Sequence, residues 1–264
     1  MRPLAGVAFV VFLAGPLPAA SLQDARTRWL KGNYEEAQEQ YEELLKDKKL
    51  LAPASLGLSR THQSLGEYDK ALHVVDKALQ GAPKDADLLA RRAELLHLRG
   101  RWDEAMRSAD AALEASPKHL PARWARTQLL RDRGDVKEAD AEAKRIVRTY
   151  SEVVNTANEI KDPESLVIVG LASAENARWN GLADEFQAIL EDLYGDAIKF
   201  DKEFWPAELQ AGLLLLEKYN RGEALDAFDK ALKINPSASE ALARGVVALS
   251  RFEVKDAEPL RRAG

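Results

Sequence analysis

Cysteine is absent from this 264-residue sequence. That excludes a disulfide framework, a thiolate zinc site and a lipid-modified N-terminal cysteine, and leaves every compartment open. A surplus of basic residues is missing too: 38 Lys and Arg stand against 43 Asp and Glu, a formal net charge of −5. Nucleic acid and anionic membrane surfaces both draw on clustered Lys and Arg, so neither is indicated as a partner. The four histidines are His62, His73, His97 and His119, and none falls in His-Glu-x-x-His or another zinc-ligand spacing. There is no glycine-rich phosphate loop and no Gly-x-Ser-x-Gly elbow. The expectation is therefore a chain without catalytic residues, cofactor or metal. Its many carboxylates, Glu35-Glu36 and Glu42-Glu43 among them, read as solvated helix faces.

Long apolar runs are missing after the first twenty residues. Within those twenty, Arg2 supplies a minimal positive charge and Leu4 to Ala14 carries none. Gly15-Pro16-Leu17-Pro18-Ala19-Ala20-Ser21 then breaks the helix and offers small residues for cleavage after Ala19 or Ala20. This is the layout of a secretory signal peptide over residues 1–20. The run is shorter than the roughly 20 residues a membrane span takes. The mature protein is expected to be periplasmic or secreted, with no transmembrane segment after signal cleavage.

What is present is a beat. Gly32/Tyr34/Ala37, Gly66/Tyr68/Ala71, Gly100/Trp102/Ala105 and Gly134/Val136/Ala139 repeat one pattern, each 34 residues after the last. Ala78 and Pro83 follow the second of these, and Ala112 and Pro117 follow the third at the same distances. Glycine between two helices can adopt the left-handed conformation that ends the first. Alanines let the helix backbones approach, and proline stops the second helix.

In these residues the chain resembles the tetratricopeptide repeat family, whose 34-residue unit is a helix–turn–helix. The resemblance implies an all-α, right-handed α-solenoid of about six repeats plus a partial seventh. Four regular repeats are expected over residues 21–151 and two longer, irregular ones over 152–236, with a partial repeat or C-terminal cap over 237–264. In the irregular half Gly170 and Gly212, Phe186 and Phe228, and Ile189 and Ala231 are each 42 residues apart. The extra residues are expected around Tyr194 to Phe204, with a similar excess near Asn155 to Pro163. Trp179 is expected at the place of Tyr34, Tyr68 and Trp102. The sixth interhelix turn, Lys218-Tyr219-Asn220-Arg221, lacks the glycine of the others. Val254 to Gly264 either folds back as an imperfect cap or leads into a longer protein.

In such arrays the first helix of each repeat lines an inner groove. Steps of 34 from Arg26 give Arg60, Glu94 and Gln128, and three residues later run Trp29, Gln63, His97 and Arg131. One turn earlier lie Leu22, Leu56, Ala90 and Trp124. Arg26, Trp29, Arg60, Gln63, Glu94, His97, Trp124, Gln128 and Arg131 are accordingly the candidate partner-binding residues, Trp and Arg being the types that dominate interface energetics. The competing possibility is that the tryptophans pack between helices and the polar residues are ordinary surface. The Lys and Asn pairing by which chaperone-binding members of the family grip a C-terminal carboxylate is missing: Leu22, Arg26, Leu56 and Arg60 stand there. The expected function is a protein-interaction scaffold holding a partner peptide or helix in the groove. A second possibility is the N-terminal part of a longer exported protein whose remainder is a metallopeptidase-like enzyme.

Overall fold

The computed structural model describes residues 21–155, 162–182, 184–218 and 220–250, which include no strand. The leader, the cap at Val254–Gly264, Tyr219 and most of the excess expected near Asn155 lie outside them. Helices pair as the spacing predicts. The first four pairs are α1 (Leu22–Leu30) with α2 (Tyr34–Leu44), α3 (Leu51–Ser64) with α4 (Tyr68–Gly81), α5 (Ala86–Leu98) with α6 (Trp102–Ala115), and α7 (Leu120–Asp132) with α8 (Val136–Asn155). The fifth joins α9 (Pro163–Asn180) to a composite of α10 (Glu185–Ala188), a π-helical stretch (Ile189–Tyr194) and α11 (Gly195–Phe200). The sixth is α12 (Trp205–Glu217) with α13 (Arg221–Ile234), and α14 (Ser239–Ser250) opens a seventh.

Local chemistry sets these boundaries. Ser21, Asp85 and Asp162 cap α1, α5 and α9 by accepting from Asp24 N, Leu88 N and Ser165 N, satisfying amides that a helix start leaves open. The four beat glycines all have positive φ, as does Gly181, which closes α9. Ala37, Ala71, Ala105 and Ala139 have no exposed surface, so each repeat's two helices meet through methyl groups.

The irregular repeat corrects the sequence expectation. The aromatic that lies on Gly170 is Tyr194, not Phe186: a Cβ on Gly170 would fall 2.3 Å from the Tyr194 ring. Gly212 meets Phe228 in the same way, at 2.5 Å. Tyr194 and Phe228 are 34 residues apart, as are the buried Ala197 and Ala231, Phe204 and Ala238. The extra residues thus precede Tyr194 rather than follow it. Most of them lengthen α9, which has 18 residues against 13 in α12 although Gly170 and Gly212 are each the eighth residue of their helix. The rest fall between Asn180 and Tyr194, where the π-helical stretch takes up added residues without breaking the helix. Trp179 sits in the last turn of α9, whereas Tyr34, Tyr68 and Trp102 each open a second helix. Phe186 instead packs under the Lys218 ammonium, 4.4 Å from its ring centre.

The curvature brings the array back on itself. Arg26 on α1 donates to Asp201 Oδ2 at 2.7 Å and to Glu164 Oε1 at 3.2 Å. Its guanidinium also lies 5.6 Å from the Phe204 ring centre. Lys31 pairs with Glu203 at 2.9 Å, and the Trp29 and Trp205 rings sit 6.4 Å apart at 45°. Asn235, with no exposed surface, donates to Tyr34 Oη at 3.0 Å and accepts from Ser237 N at 2.9 Å. Gly32 passes so close to Asn235 that a Cβ there would fall 2.4 Å from its Oδ1. Glycine is required there twice over, for its φ of +80° and for that contact. The first repeat is thus joined to the fifth and sixth along a seam.

Candidate functional site

The first helices of all seven units line one cavity of about 1090 Å3. Of the nine candidate residues, Trp29, Arg60, Gln63, Glu94, His97, Trp124, Gln128 and Arg131 are on its wall. Arg26 is not: its head is drawn into the seam by Asp201 and Glu164, which corrects its assignment to the groove. Leu56 and Ala90 line the wall as their row implies.

Ion pairs tie the inner helices together at their C-terminal ends. His97 Nε2 lies 2.8 Å from Asp132 Oδ2, Arg131 donates to Glu175 at 2.7 Å, and Arg178 grips Glu217 with two bonds of 2.7 and 2.8 Å. These contacts run in order from α5 through α7 and α9 to α12. Arg91, almost fully buried, donates to the hydroxyl and carbonyl of Ser59 on α3 and to Glu94. Trp29 donates its indole N–H to Ser64 at 3.0 Å, so the ring is held against the wall. Trp29 and Trp124 pack against the core of the irregular repeat, and both line the cavity.

At the other end Glu164 is within reach of Arg26 and, at 3.9 Å, of Arg60. Burial and a hydrogen bond with Asp162 hold the Glu164 carboxyl above its ordinary value, against the pull of the two arginines. At Asp162 burial also pushes upward, but hydrogen bonds from Glu164 and Ser165 outweigh it and keep that carboxyl low. An acid raised in the folded state stabilises the fold when protonated. That contribution is full below its unfolded value and is lost as pH rises through the folded one. Asp162 acts the opposite way, contributing above its unfolded value and losing that as pH falls through its lowered one. Glu164→Gln, neutral at every pH, is expected to flatten the stability decline that opens at about pH 4.3. Urea midpoints across a pH series check this, and an unchanged slope counts against it.

Wall residues outside the three rows include Asp87 and Arg91 on α5, Pro121 and Ala125 on α7, and, in the irregular half, Leu171 and Glu175 on α9 and Leu213 and Glu217 on α12. The 42-residue step that relates Gly170 to Gly212 also relates Leu171 to Leu213 and Glu175 to Glu217. The inner row therefore continues past Ser151 with the longer step. Among the described residues no group of three or more His, Asp or Glu is placed to hold a metal ion, and no helix is long and apolar enough to cross a membrane.

Paired helices, left-handed turn glycines and a shared inner wall define an α-solenoid of helix–turn–helix repeats. A tetratricopeptide repeat family model matches residues 56–119. Among solved structures, a thermophilic TPR protein of Thermus thermophilus is 20% identical, covers 74% of this chain and 97% of its own, and superposes with a TM-score of 0.56. The APC/C hetero-tetramer Cut9–Hcn1 is 14% identical over 86% of this chain and 42% of that one, with a TM-score of 0.52. A search of curated proteins finds no match. Residues 56–119 carry tetratricopeptide repeats, and the fold of the chain is that of a tetratricopeptide solenoid.

Proposed function

We propose that this protein is a non-catalytic scaffold that holds a polypeptide segment of a partner protein inside the cavity, in the periplasm or outside the cell. The observation that carries the binding role is the convergence of every repeat's first helix on one enclosure. A cavity of about 1090 Å3 is slightly larger than the roughly 300–1,000 Å3 of small-molecule sites, and its wall mixes tryptophan and arginine with apolar side chains. The location is supported by the leader-like layout of residues 1–20.

A photoreactive amino acid at Gln210, on the wall, tests the reading in the cells that make the protein. The expected result is a crosslinked partner whose attachment site maps to one short segment. Arg60→Glu with Trp124→Ala is expected to lower that yield at least about thirtyfold, as loss of a 2 kcal/mol hot spot implies. An undiminished yield in the double variant places the binding site elsewhere.

A further inference from the structure

Most charged side chains that line the cavity are held by an ion-pair or histidine partner; Arg60 and Arg244 have only looser contacts, at 3.9 and 3.8 Å. Arg91 is held by Glu94, Arg131 by Glu175, Arg178 by Glu217, and Arg244 lies 3.8 Å from Glu240. Asp87 is held by His119, and Glu164 by Arg26 with Arg60 at its flank. Away from Arg60 and Arg244, a ligand ion entering here would lose hydration and find a countercharge only by breaking a pair already made. The wall between the two ends is apolar: Leu56, Trp124, Ile168, Leu171, Trp205 and Leu213 are all half-buried with surface on the cavity. Polar groups without a commitment are present too, but they are neutral. Gln63 on α3, Gln128 on α7 and Gln210 on α12 line the cavity and make no hydrogen bond to the described residues. A glutamine amide offers both donors and an acceptor, which suits the peptide group, itself one donor and one acceptor.

We infer that the occupant of the cavity is an uncharged, apolar polypeptide segment, its side chains set against the tryptophan and leucine wall and its main chain met by the glutamine amides. This rests on the binding role proposed above and names the chemistry of the partner. Charge selects against the wrong segment here, because away from Arg60 and Arg244 a lysine or glutamate within it would be desolvated with nothing free to pair with.

Selection from a library of random peptides of about ten residues, at most ~35 Å when extended, tests it on the purified protein. The expected pool is rich in Leu, Val, Phe and Ala and poor in Lys, Arg, Asp and Glu, and its binding falls at least tenfold in Trp124→Ala. Gln128→Arg alters a half-buried amide that holds no other group, so the fold is kept while one unpaired cation is added. It is expected to shift the selected pool towards acidic peptides. A pool that depends on Trp124 but carries charged residues at fixed positions in the unaltered protein overturns the inference and leaves the binding role standing. Peptides indifferent to both variants overturn the two together.

Discussion

Arg26→Glu is expected to part the seam. The substitution sets a carboxylate against Asp201 and Glu164, replacing two attractions with two repulsions, and removes the cation over Phe204. Breaking a fully buried pair costs about 3–5 kcal/mol; with roughly a quarter of each side chain exposed here, about 2–3 kcal/mol is the fitting scale. Lys31–Glu203 is half exposed and adds little against that loss. The absence of cysteine makes the measurement direct. Glu35→Cys on α2 and Lys230→Cys on α13, both exposed, give two unique dye sites flanking the seam. Energy transfer between them is expected to drop in the Arg26→Glu background and to recover in part when Asp201→Arg is added. Unchanged transfer in Arg26→Glu shows that the seam holds without the ion pairs.

Tyr194→Ala carries the larger cost to stability, about 3–5 kcal/mol for a buried aromatic cut to a methyl group. Tyr194 is 2% exposed and lies on the Cβ-less face of Gly170. Burial pushes its phenol far above the ordinary value, a sign of how dry that site is. In a solenoid such damage stays with the repeat and its neighbours, because each unit packs only on the next. Here the neighbourhood is wider. The core around Tyr194 includes Leu120 from α7 and Leu30 from α1, which the seam brings to it. Hydrogen exchange is therefore expected to lose protection in α9 to α12 and also in α1, while α4 to α6 keep theirs. Protection lost equally along the whole chain counts against this division.

The regular half was legible because its signals are local. Gly32, Gly66, Gly100 and Gly134 end helices by a backbone conformation, and the alanines five residues later mark a contact made within the same repeat. A fixed step carries such signals from one unit to the next, and the wall residues from Trp29 to Arg131 come with them. The irregular repeat was harder because Phe186 and Tyr194 are both aromatic and both at workable distances from Gly170. Added π-helical turns leave no mark in composition, so only packing decides between them. The seam was beyond reach for a different reason. Arg26 stands at an inner-row position by count, yet its partner Asp201 is 175 residues away and no period relates the two. Asn235-Pro236 reads as the end of a repeat; its buried amide answers to Tyr34, 201 residues earlier.

The seam also gives the length of the fifth repeat a meaning that repeat length lacks in most solenoids. An open array loses or gains a unit at its end with little effect on the rest. An array whose first repeat meets its fifth and sixth has a rotational phase to satisfy, and the residues that satisfy it, Asp201 to Trp205, come directly after the lengthened repeat. The extra turns before Tyr194 are in that sense a spacer. Cutting the fifth repeat back to 34 residues would make the sequence more regular and leave Arg26 facing the wrong turn of its neighbour.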